Sequence, residues 1–237
     1  MTRGGYVMQL GQVPYQEAWD LQRSLAGAVS QGAIPDTILF LEHPPVVTLG
    51  RRTDEGAEVH IPHDAAVDVV ETDRGGKSTY HAPGQLVCYP IVDLNRHGRD
   101  VKKYVRDLEE ALILTVGAFG VTGERIESLT GVWLTRPPRK IASIGVHVSR
   151  WVTTHGYALN VDLDPAPFTE WITACGLEDA MFTTIAREAG RSVTVEEVRP
   201  HAVAAIGEVF GLKLEELPVE DGIGLWAQPV HAHLSVS

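Results

Sequence analysis

Cysteine is scarce in this sequence: Cys88 and Cys175 are the only two among 237 residues. Two thiols make no disulfide framework, so a reduced, cytoplasmic setting is the expectation. Long apolar runs are missing too. The longest are strand-sized and broken by Asp, Arg or Pro, so no segment reads as membrane-spanning. Met1-Thr2-Arg3-Gly4-Gly5 leads into no apolar stretch of the kind a signal peptide needs. Positive charge is the third shortage. Twenty Lys and Arg against 31 Asp and Glu leave −11, which argues against non-specific binding to nucleic acid. No G-x-x-x-x-G-K-S/T loop, no strand-linked G-x-G-x-x-G and no G-x-S-x-G occurs, which leaves nucleotide folds and the hydrolase elbow without support. His60/His63 and His231/His233 have metal-compatible spacing, but no Cys or second His pair completes a recognisable set. Neither a metal nor a cofactor is expected.

What is present reads as one α+β, mixed-sheet domain over 1–237, with 212–237 a C-terminal tail of uncertain order. Tyr6–Leu10 is an expected strand. Pro14 suits a helix N1 position, and Tyr15, Ala18, Trp19, Gln22, Leu25, Ala26 and Val29 recur at helical spacing as far as Gln31-Gly32. Thr37–Glu42 and Val46–Leu49 are expected strands, and Arg51–Gly56 a polar loop. Asp100 is a fair N-cap for a long helix carrying Tyr104, Leu108 and Leu112 on one face; Lys103 stands where a capping box needs Glu. Strands are then expected over Glu127–Leu134, Lys140–Val148 and His155–Val161, and a short helix over Phe168–Ala174 that delivers Cys175. Thr194-Val195-Glu196-Glu197 is a capping-box signature. Pro200 means that the helix kinks there or begins there, and Gly211 ends it.

The stretch from Arg74 to Gln85 concentrates reactive side chains between two tight turns. Gly75-Gly76 lets backbone approach a ligand, and Pro83-Gly84 turns the chain. Between them stand Lys77, Ser78, Thr79, Tyr80 and His81. A decorated β-hairpin is the plainer reading; a ligand-facing loop between two buried strands is the functional one. Cys175 lies at an element end before a Gly, where a thiol is exposed and backbone N–H groups reach an oxyanion; a lone Cys is more often a small buried hydrophobe. Cys88, inside Leu86-Val87-Cys88-Tyr89, is expected to face a core. Lys140 opens an apolar strand after Pro137-Pro138. Most such lysines are solvated, yet one held near a thiol lowers the thiol's pKa, and a partly desolvated one serves as a base. His81 and His155 are candidates for lining a pocket. Arg51, Arg52, Arg74, Lys77, Arg136, Arg139, Lys140 and Arg150 form an expected basic rim on an acidic chain, suited to an acidic partner.

Five stretches in this order resemble the octanoyltransferases of lipoate biosynthesis. They are Leu41–Gly50, Arg74–Gln85, Arg139–Gly145, His155–Val161 and Ala174-Cys175-Gly176. The resemblance covers about Tyr6 to Phe210. It departs at Ala82, where the family often has Gly, and at Ala174, where it often has Pro. It implies the catalytic-domain fold of lipoate and biotin protein ligases, and transfer of an octanoyl group from octanoyl-acyl carrier protein to a lysine of a lipoyl domain. The implied acceptors are the lipoyl domains of 2-oxoacid dehydrogenase E2 subunits and the glycine cleavage H protein. It also implies Cys175 as nucleophile, Lys140 as its acid–base partner, and Arg74–His81, Ser143, Ile144, Gly145, Gly156, Tyr157 and Ala158 as the acyl site. Oxyanion donors near Gly75-Gly76 and at Gly145 stay open alternatives. Three rivals remain: an ATP-dependent lipoate ligase on the same fold, an amidotransferase working between lipoyl domains, and a binding protein in which Cys175 is structural.

Overall fold

In the computed structural model residues 2–53, 59–172 and 181–218 are described. Cys175 therefore lies outside the described residues, as do Ala174, the second half of the expected Arg51–Gly56 loop, and the tail from 219 onward.

The first strand, β1 (Arg3–Gln12), is followed by helix α1 (Tyr15–Ser30), whose first residue follows Pro14; the proline takes the cap position rather than N1. Tyr15, Ala18, Gln22, Leu25 and Val29 are buried at helical spacing, so one face of α1 lies on the sheet. Strands β2 (Thr37–Glu42) and β3 (Val46–Leu49) run where the apolar pattern places them. The glycine-rich stretch is not a hairpin. β4 (Asp68–Glu71) and β5 (Thr79–His81) flank β3 in a small three-stranded sheet, whereas β6 (Gln85–Ile91) belongs to the main sheet. β4 is also not the buried strand its Val residues suggest, since Val69 is 50% exposed on that sheet edge.

A 3₁₀ turn (Leu94–Arg96) precedes α2 (Val101–Gly117), and the Asp100 carboxylate accepts the Lys103 N–H at 3.0 Å. The Asp100 cap and the 3.6 period fixed this helix in advance. Tyr104, Leu108, Leu112 and Val116 are fully buried, each worth about 1.5–3 kcal/mol relative to exposure, so packing rather than propensity holds the helix. The expected strand Glu127–Leu134 forms as β8 (Leu129–Thr135), preceded by a further short strand, β7 (Glu124–Ile126), with the turn between them at Ser128, φ 67°. Long antiparallel β9 (Pro138–Ser149) and β10 (Val152–Asn160) follow. Helix α3 stops at Glu170 (Pro167–Glu170), short of the expected Ala174. β11 (Met181–Phe182) and α4 (Ile185–Ala189) were not anticipated. α5 (Val195–Phe210) starts at the complete Thr194/Glu197 capping box and runs through Pro200 to Gly211, and β12 (Leu212–Glu216) turns the start of the expected tail into an edge strand on β1.

The main sheet is ordered β12-β1-β2-β6-β10-β9-β8-β7, with β11 parallel to β9. Its strands pair antiparallel except β12–β1, β1–β2 and β11–β9. α2 and α5 cover one face over a core that includes Phe40, Cys88, Ile141, Ala142 and Tyr157. α1 covers the other face over Met8, Leu39, Tyr89 and Ala158. A third cluster, Tyr80, Leu163, Phe168, Ile172 and Phe182, joins the small sheet to α3 and β11. This is a mixed-sheet α+β fold.

Candidate functional site

Two irregularities in adjacent strands create the site. On β9, Ala142 faces Val132 but Lys140 already faces Trp133, so β9 carries one extra residue there. Such a bulge breaks the two-residue alternation and re-aims side chains. Ile141 and Ala142 consequently both enter the α2/α5-side core, with Ile144 and Val146 packed against it. Lys140, Ser143 and Gly145 then share the opposite face, beside a cavity on the α1 side of the sheet. On β10, His155 takes φ 56°, and its N–H donates to Gln22 Oε1 at 2.6 Å instead of to a neighbouring strand. A side chain added at Gly156 would run into the Cys88 carbonyl and the Pro90 ring. Pro90, which cannot donate a ladder bond, is tolerated in a central strand because the β10–β6 ladder ends at Tyr157 and Cys88, before it.

The Arg74–His81 segment roofs this cavity and lies directly on β9. Gly75 N–H donates to Val146 O at 3.0 Å, and a Cβ on Gly145 would sit 2.7 Å from Gly75 O. Only glycine allows that approach. Buried Arg74 braces the roof from behind: Nε donates to Thr48 Oγ1 (3.0 Å), Nη2 to Thr48 O (2.7 Å) and Nη1 to Gly75 O (3.2 Å). Because Gly75 N–H is committed to β9, it is removed from the candidate oxyanion donors.

Of the residues expected from sequence, Lys140, Arg74, Gly76, Lys77, Ser78, Thr79, His81, Ser143, Ile144, Gly145, Gly156, Tyr157 and Ala158 line the cavity. Two do not. Gly75 is turned to Val146, and the Tyr80 ring packs edge-on against Phe168 and Trp171, 5.8 and 5.4 Å between centroids. Tyr157 borders the cavity while its side chain belongs to the α2/α5-side core. Three further residues complete the wall: Tyr15 from α1, Tyr89 from β6 and His155. His155 was legible as a candidate; Tyr15 and Tyr89 read only as periodic core positions, and no local signal separates them from that role.

Beneath the cavity lies a hydrogen-bonded array whose partners fix its tautomers. His43 Nδ1–H donates to Val13 O (2.7 Å), so Nε2 accepts from the Tyr89 hydroxyl (2.8 Å). His155 Nε2–H donates to Asp73 Oδ1 (2.7 Å), leaving Nδ1 to accept from Tyr15 OH (3.3 Å). His81 Nδ1–H donates to Gln85 Oε1 (2.7 Å); the Gln85 amide donates to Asn160, which donates to Thr183 O. Burial keeps all three imidazoles neutral: His43 falls to about 4, His81 well below its ordinary value, and His155 is lowered despite its carboxylate partner. The bond from His155, in turn, holds the Asp73 carboxyl below its usual range. Tyr15 is pushed up to about 12 by burial, so the phenol stays protonated. The phenols and imidazoles of the cavity floor are thus polar but uncharged, and the Asp73 carboxylate stands behind His155.

Lys140 is 4% exposed, with Nζ 5.0 Å from the Trp133 ring centroid. β11 pairs with β9 at this point, Phe182 facing Lys140, and Thr183 N–H donates to Lys140 O. The segment that carries Cys175 is thus held at one described end beside Lys140. At the other end it is held by buried Ile172, bridged to Val59. Cys88 is fully buried in a strand, as expected, and burial drives its thiol pKa far up. The expected basic rim needs correction. Arg74 and Lys140 point inward, and Arg139 is committed to Glu188 in a two-bond ion pair at 2.9 and 2.8 Å. No group of three or more His, Cys, Asp or Glu among the described residues is arranged to hold a metal ion, and no described helix is long and apolar enough to cross a membrane.

The architecture places the chain among lipoate ligase catalytic domains. An archaeal bipartite lipoate protein ligase from Thermoplasma acidophilum superposes with a TM-score of 0.74 at 16% identity, over 94% of this chain and 90% of that one. Lipoate-protein ligase A bound with ATP gives 0.74 at 15%, over 94% and 92%. At such identities the likeness speaks for the fold alone. The family model described as lipoyl protein ligase A/B catalytic domain matches residues 14–207, and the chain belongs to that family. Within it, an octanoyltransferase from Mycobacterium tuberculosis is 52% identical over 229 residues, 94% of this chain and 93% of that protein. One from Chloroflexus aurantiacus is 49% identical over 211 residues, 87% and 94%. The protein is an acyltransferase of the octanoyltransferase type, acting in lipoate biosynthesis.

Proposed function

We propose that this enzyme takes the octanoyl group from octanoyl-acyl carrier protein as a thioester on Cys175. It then delivers that group to the lysine Nζ of a lipoyl domain, such as those of 2-oxoacid dehydrogenase E2 subunits or the glycine cleavage H protein, in the cytoplasm. The observation that carries the reading is the β9 bulge, which turns the buried Lys140 to the cavity face beside the anchored end of the Cys175 segment.

A nearby ammonium favours the thiolate, so Lys140 and Cys175 rest as an ion pair. The Cys175 thiolate attacks the carrier thioester carbonyl. The carrier sulfur leaves as a thiolate and takes a proton from Lys140 Nζ. Neutral Lys140 then accepts a proton from the incoming lysine ammonium. The freed amine attacks the Cys175 thioester, the amide forms, and Cys175 leaves as a thiolate beside the re-protonated Lys140. The last proton of the attacking nitrogen passes to solvent. The donor is already activated, so the sequence uses no ATP. The octanoyl chain lies against the cavity floor, where protonated phenols and neutral imidazoles set no charge against it. Initial rates over both substrates, without ATP, give parallel double-reciprocal lines. Intersecting lines, or an absolute requirement for ATP, would falsify the scheme.

A further inference from the structure

Lys140 sits against a glycine that a buried carboxylate holds. Gly131 on β8 has φ 116°, a conformation that side chains rarely adopt, and a Cβ there would meet Ala142 O at 2.5 Å and Lys140 Cε at 2.8 Å. The Gly131 N–H donates to Glu109 Oε1 at 3.2 Å. Glu109, on α2, is 2% exposed, and its other oxygen accepts from Arg106 Nη1 (2.8 Å) and Arg125 Nε (3.2 Å). Arg125 is itself tied to Arg106 O and to Glu110. A carboxylate taken out of water between two guanidiniums is held more firmly than a neutral acceptor. It fixes the β8 backbone where the lysine stem passes, one residue before Val132, which faces the β9 bulge. Two residues on, Trp133 supplies the ring beside Nζ.

We infer that Glu109 is a positioning residue for Lys140: through Gly131 it shapes the groove that aims the Lys140 amine into the cavity. This rests on the reading of Lys140 as the acid–base partner of Cys175. Loss of the carboxylate lets the β8 backbone at Gly131 shift and the amine swing from its place. A displacement of that kind, far from the reacting atoms, costs on the order of 100-fold at most in turnover.

The test measures how fast iodoacetamide alkylates Cys175 between pH 5 and 10, in the wild type, Glu109→Gln, Lys140→Met and the double variant. Buried Cys88 gives little background. Gly131→Ala, alone and with Lys140→Met, runs beside them; it leaves the Glu109 ion pairs intact and carries the test if Glu109→Gln does not fold. Lys140→Met is expected to slow alkylation at pH 7. Glu109→Gln and Gly131→Ala are expected to slow it by about tenfold, equivalent to one pKa unit, while changing nothing further in the Lys140→Met background. Equal slowing in both backgrounds, or none in either, with Lys140→Met still slow, overturns the positioning role alone. A Lys140→Met rate equal to wild type overturns the acid–base reading and this inference with it.

Discussion

Gly145→Ala separates the roof of the cavity from its floor. The added methyl would lie 2.7 Å from Gly75 O and 3.3 Å from Arg74 Cδ, so backbone rather than a pliant side-chain end must give way. Overpacking of this sort costs about 1–3 kcal/mol. The shift also strains the Gly75 N–H to Val146 O bond, worth roughly 0.5–1.5 kcal/mol. A central figure of about 2 kcal/mol lowers the melting temperature by about 4–8 °C in a chain of this size. Because Arg74–Lys77 moves with the loop, kcat/KM for octanoyl transfer falls by roughly tenfold or more. Gly27→Ala is the matched control. It lies exposed inside α1 with nothing within 4 Å of a built Cβ, so it gains helix propensity of about 0.8–1.0 kcal/mol. Differential scanning calorimetry and steady-state assays on both variants give the answer. A Gly145→Ala protein that melts with the wild type and turns over normally would refute the close seating of the roof on β9.

Other predictions follow from the same geometry. Neutral burial of His43, His81 and His155 means that the unfolded chain binds protons more readily as pH falls below about 6.5. Stability is therefore retained above that pH and lost down to about pH 4, with His43 alone accounting for about 3 kcal/mol. A flat melting temperature from pH 7 to 4.5 would contradict it. Arg136→Glu, at an exposed position, should raise the KM for the acyl carrier protein and leave that for a small octanoyl thioester unchanged. Arg139→Glu is expected to behave differently, losing stability through the stranded Glu188 carboxylate, visible as a lower urea midpoint. Gly156→Ala forces β10 from β6 at the Cys88 carbonyl, and a soluble, fully active variant would count against the close approach of the two strands there.

Much of this fold could be read from residue order because local chemistry and tertiary packing agree. α2 has an Asp cap and one apolar stripe, α5 a capping box and a terminal Gly, and β2 and β3 are short apolar runs between turn residues. What escaped depends on partners remote in sequence. β12 reads Leu-Lys-Leu-Glu-Glu, a charged pattern that becomes a strand only because β1 offers it an edge. β5 is three residues whose pairing with β3 is invisible in a glycine loop. β4 misled because its valines occupy an exposed edge. The candidate loops were legible through their polar residues, whereas the bulge that turns Lys140 to the cavity is a register difference with no sequence mark. Tyr15, Tyr89 and Glu109 look like ordinary members of their elements, and their neighbours across the fold alone give them a place at or behind the site.

Intact mass spectrometry addresses the central claim most directly. The wild-type protein and Cys175→Ser are each mixed with octanoyl-acyl carrier protein in the absence of ATP, then with an apo lipoyl domain. The account predicts one octanoyl adduct on the wild type, none on the variant, and complete discharge of the adduct onto the lipoyl domain. An adduct that persists in Cys175→Ser, or octanoylation of the lipoyl domain at the wild-type rate by that variant, contradicts it.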